Sequence, residues 1–103
     1  MSVLMEFAMF PTDKGGSVSE YVSKVIDMIR TEANSYKLTA MGTIVETNSF
    51  VEALEILQKA HDILEPVSER IYSSVKFDVR KGKNNRLEGK IKSVEEKIGE
   101  VKK

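Results

Sequence analysis

Two long segments of the sequence alternate between apolar and other side chains, and they lie at opposite ends of the expected core. The first covers residues 2–10 and the second about residues 70–80. A period of two is that of a β-strand, whose successive side chains point to opposite faces of the sheet. The apolar set that both strands should turn towards covering helices is Val3, Met5, Phe7, Met9, Val75, Phe77 and Val79. The chain therefore requires a sheet with one strongly apolar face.

Two predicted helices lie between these strands. Ser17 followed by Glu20 is a capping-box pattern and predicts a helix that continues to about Ala33. Ser49 with Glu52 predicts a second helix to roughly Glu65, where Pro66 ends it. The first apolar stripe is Val18, Tyr21, Val22, Val25, Ile29 and Ala33, and the second is Phe50, Leu54, Leu57, His61 and Leu64. Each stripe is expected to pack on the sheet.

A hairpin is predicted between the two helices, and a further helix after the last strand. The stretches "YKLTA" and "TIVET" flank Met41 and Gly42, and we expect Gly42 to supply the positive φ of a tight reversal. Asn85 with Glu88 resembles a third helix cap and predicts a C-terminal helix over about residues 86–101. Its apolar positions form a narrow stripe: Leu87, Ile91, Val94, Ile98 and Val101. Gly89 and Gly99 weaken this helix, so we expect it to need a docking surface.

This order of elements predicts one α+β domain over residues 1–103, with a ferredoxin-like βαββαβ sandwich in residues 1–80. Two strand-helix-strand halves follow each other, and right-handed crossovers place both main helices on one face of a four-stranded antiparallel sheet. The opposite face, called the open face below, should then be bare. Its predicted members on the first and last strands are Leu4, Glu6, Ala8, Tyr72, Ser74, Lys76, Asp78 and Arg80. A mixed polar and aromatic face can simply be solvated, or it can meet a second copy of the chain.

Composition and charge exclude several classes of function. Sixteen basic and sixteen acidic residues give a net charge of zero, which argues against binding to nucleic acid or to an anionic membrane surface. There is no cysteine, and His61 is the single histidine, so a zinc site would need ligands from a second chain. We expect His61 to be a packing residue. No nucleophile with a base, metal cluster or cofactor motif is recognisable. The apolar N-terminus carries Glu6 and no basic leader, so we expect a cytoplasmic protein.

Four stretches carry a family resemblance over nearly the whole chain. In order they are "AMGTIVE", "KAHDIL", "ERIYSSVKFDVRKGK" and "GKIKSVEEKI". Together they resemble the small ferredoxin-like thiamine-binding proteins of archaea, bacteria and yeast. The matching positions are Met41, Gly42, Thr43, Glu46, His61, Arg70, Lys76, Asp78, Arg80, Gly89, Lys90, Ser93 and Val94. Thr47 stands where members often have glycine, which bears on the local turn geometry.

The resemblance implies that the chain binds thiamine or its pyrimidine portion and assembles into dimers or tetramers through the open face. It implies no catalytic activity and no cofactor. The candidate ligand-binding residues are Glu6, Met41, Gly42, Thr43, Tyr72, Ser74, Lys76, Asp78 and Arg80. A carboxylate and an aromatic ring suit the thiazolium cation, and hydroxyl groups suit the pyrimidine edge. The alternatives are a structural or regulatory homo-oligomer without a ligand, and an enzyme that uses Glu6 with Asp78 in acid–base chemistry.

Overall fold

The computed structural model describes residues 1–16 and 18–103 and has the predicted ferredoxin-like architecture. Its elements are β1 (Ser2–Pro11), α1 (Ser19–Glu32), β2 (Ser35–Leu38), β3 (Thr43–Thr47), α2 (Phe50–Leu64), β4 (Ile71–Arg80) and α3 (Arg86–Ile98). A short 3₁₀ turn, Glu65–Val67, follows α2 and contains Pro66. The four strands form one antiparallel sheet in the order β2-β3-β1-β4. The predicted cap at Ser17 lies outside the described residues.

The register between β1 and β4 places the side chains on the two faces as alternation predicts. Leu4 lies opposite Asp78, Glu6 opposite Lys76, and Phe10 opposite Tyr72. On the other face, the odd-numbered residues of β1 join α1 and α2 in the hydrophobic core. That core is made of Val3, Met5, Phe7, Met9, Val25, Ile29, Val45, Ala53, Ile56, Ala60 and Leu64. The predicted division of the sheet into a helix-covered face and a second face is therefore correct.

The apolar stripe predicted for α2 is displaced from the stripe that enters the core. The residues of α2 that are buried are Ala53, Ile56, Ala60 and Leu64. Phe50 and Leu54 are instead 41% and 43% exposed, and the His61 side chain is 44% exposed. His61 is therefore not a core residue, which corrects the prediction. The two alanines allow α2 to approach the sheet closely, and this turns the larger side chains towards the outer edge of the sheet.

The helix starts agree with the sequence patterns in one case and differ in another. The Ser49 side chain accepts a hydrogen bond from the Glu52 backbone N–H at 3.2 Å, so this cap is confirmed. Asn85 is the N-cap residue of α3 as predicted, but it has a left-handed φ of 54° and its side chain makes no capping hydrogen bond. Among the described helices, none combines the length and the apolar character needed to cross a membrane.

Gly42 is required for a different reason from the one that the hairpin pattern suggests. Its φ is not in the left-handed region, so the predicted positive dihedral is wrong. A Cβ atom at this position would instead lie 2.9 Å from the Phe7 carbonyl oxygen and 3.9 Å from the Ala8 Cβ. The missing side chain allows the hairpin to come close to the backbone of β1.

The open face is not bare, because α3 packs across one end of it. This helix contacts β1 and β3, and its half-buried residues Leu87 and Ile91 border a groove with Leu4 and Ile44. The expectation of an entirely uncovered face is therefore wrong at the end near Leu4. The sequence could not show this, because α3 follows a loop and its narrow stripe suits many surfaces. Its last two apolar residues, Val94 and Ile98, remain 41% and 73% exposed.

Candidate functional site

A groove on the open face lies beside α3 and has a volume of about 560 Å³. Its lining is largely apolar, with Leu4 and Ile44 from the sheet and Leu87 and Ile91 from α3. Charged side chains form its rim: Glu6, Lys37, Lys76, Asp78 and Lys90. This volume is within the range of small-molecule sites, which combine apolar walls with a few polar groups. The groove is therefore the candidate site, and three of the predicted residues, Glu6, Lys76 and Asp78, line it.

Glu6 and Lys76 form an exposed pair at the middle of the open face. The Lys76 ammonium group lies 3.5 Å from the Glu6 carboxylate, and the two side chains are 76% and 43% exposed respectively. An ion pair with this exposure contributes little stability and separates readily. The Glu6 carboxylate can therefore exchange the lysine for another cation at little cost.

Asp78 is held differently, although it lies on the same face. Its carboxylate is 3.1 Å from the guanidinium group of Arg86, whose side chain is only 13% exposed. Arg86 also donates hydrogen bonds to the Asp78 and Ser2 carbonyl oxygens at 2.6 and 2.8 Å. Asp78 thus helps to fasten the start of α3. Neither Glu6 nor Asp78 is buried, so the proton-sharing pair considered for an enzyme has no low-dielectric setting here.

Small side chains continue the open face beyond the Glu6–Lys76 pair. Ala8 lies opposite Ser74 in the register, and Gly42 approaches Ala8 from the hairpin. Beyond them the rings of Phe10 and Tyr72 meet with centroids 5.4 Å apart. Tyr72 is 54% exposed, so an aromatic surface remains accessible at this end of the face. Ser74 and Tyr72 therefore lie on the same face as Glu6, as predicted.

The predicted hairpin residues are not brought to one place. Thr43 lies opposite Phe7, which puts its side chain on the helix-covered face, where it is buried. Its hydroxyl therefore cannot meet the same ligand as Ser74, which is on the open face. Met41 is 87% exposed at the tip of the hairpin, and Gly42 borders the open face beside Ala8.

Arg80 shares the open face but lies at the far end of β4, opposite Ser2. Eight residues separate it from Tyr72, which corresponds to about 26 Å along a strand. A molecule of two linked rings cannot contact both ends of such a row. The predicted set therefore divides into a central group around Glu6 and Lys76 and more distant residues.

The sequence did not reveal the structural role of Glu46, whose carboxylate accepts hydrogen bonds from three different residues. The family resemblance includes Glu46 but assigns it no role. Its oxygens accept hydrogen bonds from the Ser2 hydroxyl at 2.5 Å and from the backbone N–H groups of Arg86 and Leu87, both at 3.0 Å. A strand residue thus caps the start of α3, and its negative charge is favourable at a helix N-terminus. The available signal was a glutamate as the single charged residue of the strand Thr43–Thr47.

The environment of Glu46 shifts its protonation equilibrium. Partial burial raises the pKa of this carboxyl. The hydrogen bonds from Ser2 and from the amides of Arg86 and Leu87 lower the pKa, as does the positive charge of Arg86, and together they outweigh the effect of burial. The net result is a pKa below the ordinary value of 4.5. Glu46 is thus stabilised as the anion, and it acts as an anchor for α3 on the open face.

His61 belongs to a separate group near the end of α2. Its Nδ1 atom lies 3.5 Å from the Glu65 carboxylate, and Asp62 is the third residue of this group. These donor atoms lie within 4.8 Å of one another and are partly or fully exposed. The arrangement resembles an ordinary solvated cluster of polar side chains, and it lies away from the groove lined by Glu6 and Lys76.

Comparisons with known proteins agree with the fold and identify a family. A family model described as "Thiamine-binding protein" matches residues 5–95. The UPF0045 protein MJ1052 of Methanocaldococcus jannaschii is 36% identical over 94 residues, covering 91% of this chain and 93% of the relative. A UPF0045 protein of Methanothermobacter thermautotrophicus is 32% identical over 83 residues, covering 80% and 84%.

Solved structures show the same architecture. The crystal structure of MJ1052 matches with a TM-score of 0.81 at 36% identity, covering 92% of this chain and 97% of the other. A Thermotoga maritima protein, assigned provisionally to thiamine biosynthesis or salvage, matches with a TM-score of 0.78 at 20% identity, covering 91% and 99%. At that identity the second likeness supports the fold alone.

Proposed function

Because the chain belongs to the thiamine-binding protein family, we propose that it binds thiamine or its hydroxymethylpyrimidine portion in the open-face groove, without catalysing a reaction. The observation that carries the proposal is the position of Glu6. Its accessible carboxylate lies between an apolar groove and the small-residue row that leads to Tyr72.

The chemistry of the ligand suits these surroundings. Thiamine has a permanently charged thiazolium ring and an aminopyrimidine ring with donors and acceptors. We expect one ring to occupy the groove between Leu4 and Leu87 and the other to extend over Ala8 towards Tyr72. Glu6 would then lie between the rings, where it can attract the cation, and the Tyr72 ring could add roughly 0.5–2 kcal/mol of cation–π attraction.

Lys76 has to move for this arrangement to form. A lysine beside a thiazolium ring is unfavourable, but its side chain is long, 76% exposed and only loosely paired with Glu6. A ligand that carries phosphate would instead keep Lys76 as its partner. Comparing thiamine with thiamine phosphate therefore tests which role this lysine has.

Assembly through the open face is part of the proposal. Val94 and Ile98 at the end of α3 are exposed apolar residues beside this face, and a second copy could cover them. Such a copy would also close the groove from above and exclude water from the ligand. The choice between a dimer and a tetramer, and the cytoplasmic location, stay predictions from the sequence.

Titration calorimetry with thiamine and with hydroxymethylpyrimidine tests the binding directly. A ligand at about a hundredfold excess over its dissociation constant should add about 2.7 kcal/mol to the free energy of unfolding. Glu6→Gln should weaken thiamine binding about tenfold or more and should leave the fold intact, because the Glu6–Lys76 pair is exposed. Binding of neither compound to the intact protein would overturn the proposal.

Glu20→Gln is the matched control, since Glu20 is an exposed residue of α1 on the opposite side of the sheet. It makes the same chemical change and should leave both affinities unchanged. Asp78→Ala is a poorer probe, because removing Asp78 also removes an ion pair that holds Arg86.

A structural or regulatory homo-oligomer is the second candidate function. The exposed apolar end of α3 favours it, since this surface can serve assembly without any ligand. The two candidates differ in their response to Ala8→Leu, which fills the small-residue row. Loss of thiamine binding with an unchanged oligomer supports the ligand site, whereas dissociation of an oligomer that never binds thiamine supports assembly alone.

A further inference from the structure

The open-face groove carries a surplus of positive charge, although the chain as a whole has a net charge of zero. Four cationic and two acidic side chains line it: Lys37, Lys76, Arg86, Lys90, Glu6 and Asp78. Four cations against two carboxylates leave a formal charge of +2. Charges of one sign that gather in a cleft with apolar walls attract ligands of the opposite sign. The lining of this groove thus indicates a ligand that carries negative charge.

Two of the four cations already have partners, and two do not. Lys76 and Arg86 face the two carboxylates of the groove at distances of 3.5 and 3.1 Å. None of the ion pairs within residues 1–16 and 18–103 includes Lys37 or Lys90. The surplus charge of the groove is therefore that of these two lysines.

Lys37 lies on the sheet, in the same row of the open face as Glu6. It is opposite Ile44 in the register, and Ile44 is opposite Glu6. Lys37 is half-buried and lines the groove together with Leu87 and Ile91 of α3. A partly buried cation without a counter-ion is unfavourable, and an anionic ligand would remove this cost.

Lys90 reaches the groove from α3. It follows Leu87 by three residues, so the two side chains are neighbours on the surface of the helix. Both line the groove, and Lys90 is exposed, which leaves its ammonium group free to turn towards a ligand. One unpaired cation therefore comes from the sheet and one from the helix.

We propose that the ligand of this groove carries a phosphate monoester, which Lys37 and Lys90 bind from two sides. The inference rests on the proposed function and specifies the form of its ligand: the phosphate ester of hydroxymethylpyrimidine or of thiamine, rather than the free compound. A phosphate monoester has a charge of about −1.5 to −2 at pH 7. This charge matches the formal +2 of the groove. Charge-assisted hydrogen bonds from ammonium groups to phosphate oxygens are also stronger than those between neutral groups.

The unphosphorylated compounds match the groove less well. Free thiamine is a cation, so Glu6 attracts it while the unpaired lysines repel it. Hydroxymethylpyrimidine has no permanent charge and leaves both lysines without a partner. In thiamine phosphate the ester extends from the thiazolium ring, so the ring can face Glu6 while the phosphate meets Lys37 and Lys90. Lys76 can then stay in place as a third cation.

Titration calorimetry with thiamine, hydroxymethylpyrimidine and the phosphate ester of each compound tests the inference. Each ester should bind about tenfold or more tightly than its parent compound, as expected for new hydrogen bonds between charged groups. Added salt should weaken the binding of the esters more than that of hydroxymethylpyrimidine, because it screens charge. The affinities of the two esters, compared with each other, show which heterocycle the groove prefers. Inorganic phosphate should bind far more weakly than either ester, since it makes no contact with the apolar walls.

Replacing the two unpaired lysines gives an independent measurement. Lys37→Gln and Lys90→Gln should each weaken the binding of the esters about tenfold. Each should strengthen the binding of free thiamine, because a cation that repels the thiazolium ring is removed. Lys97→Gln is the matched control, since it makes the same change on α3 at a residue that does not line the groove. Thermal unfolding of the three variants should stay close to that of the wild type, because none of them removes an ion pair of the described residues.

The outcomes separate this inference from the proposed function. Tighter binding of the esters, with a preference that the double variant Lys37→Gln/Lys90→Gln loses, would support it. Parent compounds that bind as tightly as their esters, or a double variant that keeps the preference, would overturn the inference and leave the proposed function standing. Inorganic phosphate that binds as tightly as the esters would indicate an adventitious anion only and would also overturn it. If none of the four compounds binds, the proposed function fails and this inference fails with it.

Discussion

The two ends of the open face differ, although the same two strands form both. At the end near Leu4, the Glu46 carboxylate and the Arg86 guanidinium hold α3 against the sheet through several hydrogen bonds. At the end near Ala8, side chains are small and the surface stays open as far as Tyr72. Polar residues are therefore structural at the first end and free to bind at the second. Glu6 lies at the boundary between them.

The largest expected effect comes from removing the Glu46 carboxylate, which anchors α3 at the end of the open face near Leu4. Glu46→Ala should lower the free energy of unfolding by about 2–3 kcal/mol, because the amides of Arg86 and Leu87 lose their acceptor together with a favourable charge. Glu6→Ala should change it by less than about 0.5 kcal/mol, as expected for an exposed pair. Urea denaturation measures both. Equal effects of the two variants would contradict the difference between the two ends.

The second-largest effect is expected at Gly42, where the hairpin comes close to the backbone of β1. Gly42→Ala should cost about 1–2 kcal/mol, since the new Cβ atom would lie 2.9 Å from the Phe7 carbonyl and the hairpin must move. Gly89→Ala is the control, because nothing lies within 4 Å of that position in α3. The control should gain about 0.5–1 kcal/mol from its higher helix propensity. Thermal unfolding of both variants shows whether the signs differ.

Acidification should weaken the attachment of α3 at the end of the open face near Leu4. Hydrogen bonds hold the pKa of Glu46 below 4.5, so its contribution to stability is fully present above the unfolded value and is lost as pH falls through the lower folded value. Asp13 behaves alike, since hydrogen bonds from Ser68 and Glu69 lower its pKa as well. The difference in stability between wild type and Glu46→Gln therefore has to be followed. That difference should shrink below about pH 4.5, and a constant difference would contradict the assignment.

The smallest effect is expected at Asp78. Asp78→Asn should destabilise by about 0.5 kcal/mol or less, because the carboxylate is 71% exposed and Arg86 keeps its bonds to the Ser2 and Asp78 carbonyl oxygens. Urea denaturation with and without added salt measures this contribution. A loss above about 2 kcal/mol would mean that Asp78 anchors α3 as strongly as Glu46.

Alternation along the strands predicted the fold and the residues of β1 and β4 that share the open face. A period of two determines which side chains share a face, so Glu6, Lys76 and Asp78 were correctly placed together. The same alternation should have excluded Thr43, which pairs with the core residue Phe7. Its inclusion came from the family resemblance, which matches positions but not side-chain directions.

Features that depend on contacts distant in sequence were not predictable in this way. The large side chains of α2 do recur at helical spacing. The face of α2 that enters the core is nevertheless the one that carries the small residues Ala53 and Ala60. The docking of α3 depends on Glu46, which precedes the helix by some 40 residues in the chain. Helical periodicity contains no information about either partner.

The cap supplied by Glu46 has a consequence for the order in which the molecule assembles. A helix whose first amides are satisfied by a distant strand, and which contains a glycine, gains little by forming alone. The sheet has to exist before α3 becomes stable, so α3 should be the last element to fold and the first to open. Native-state hydrogen exchange should show its amides protected least, and Glu46→Ala should accelerate their exchange without affecting those of α1 and α2.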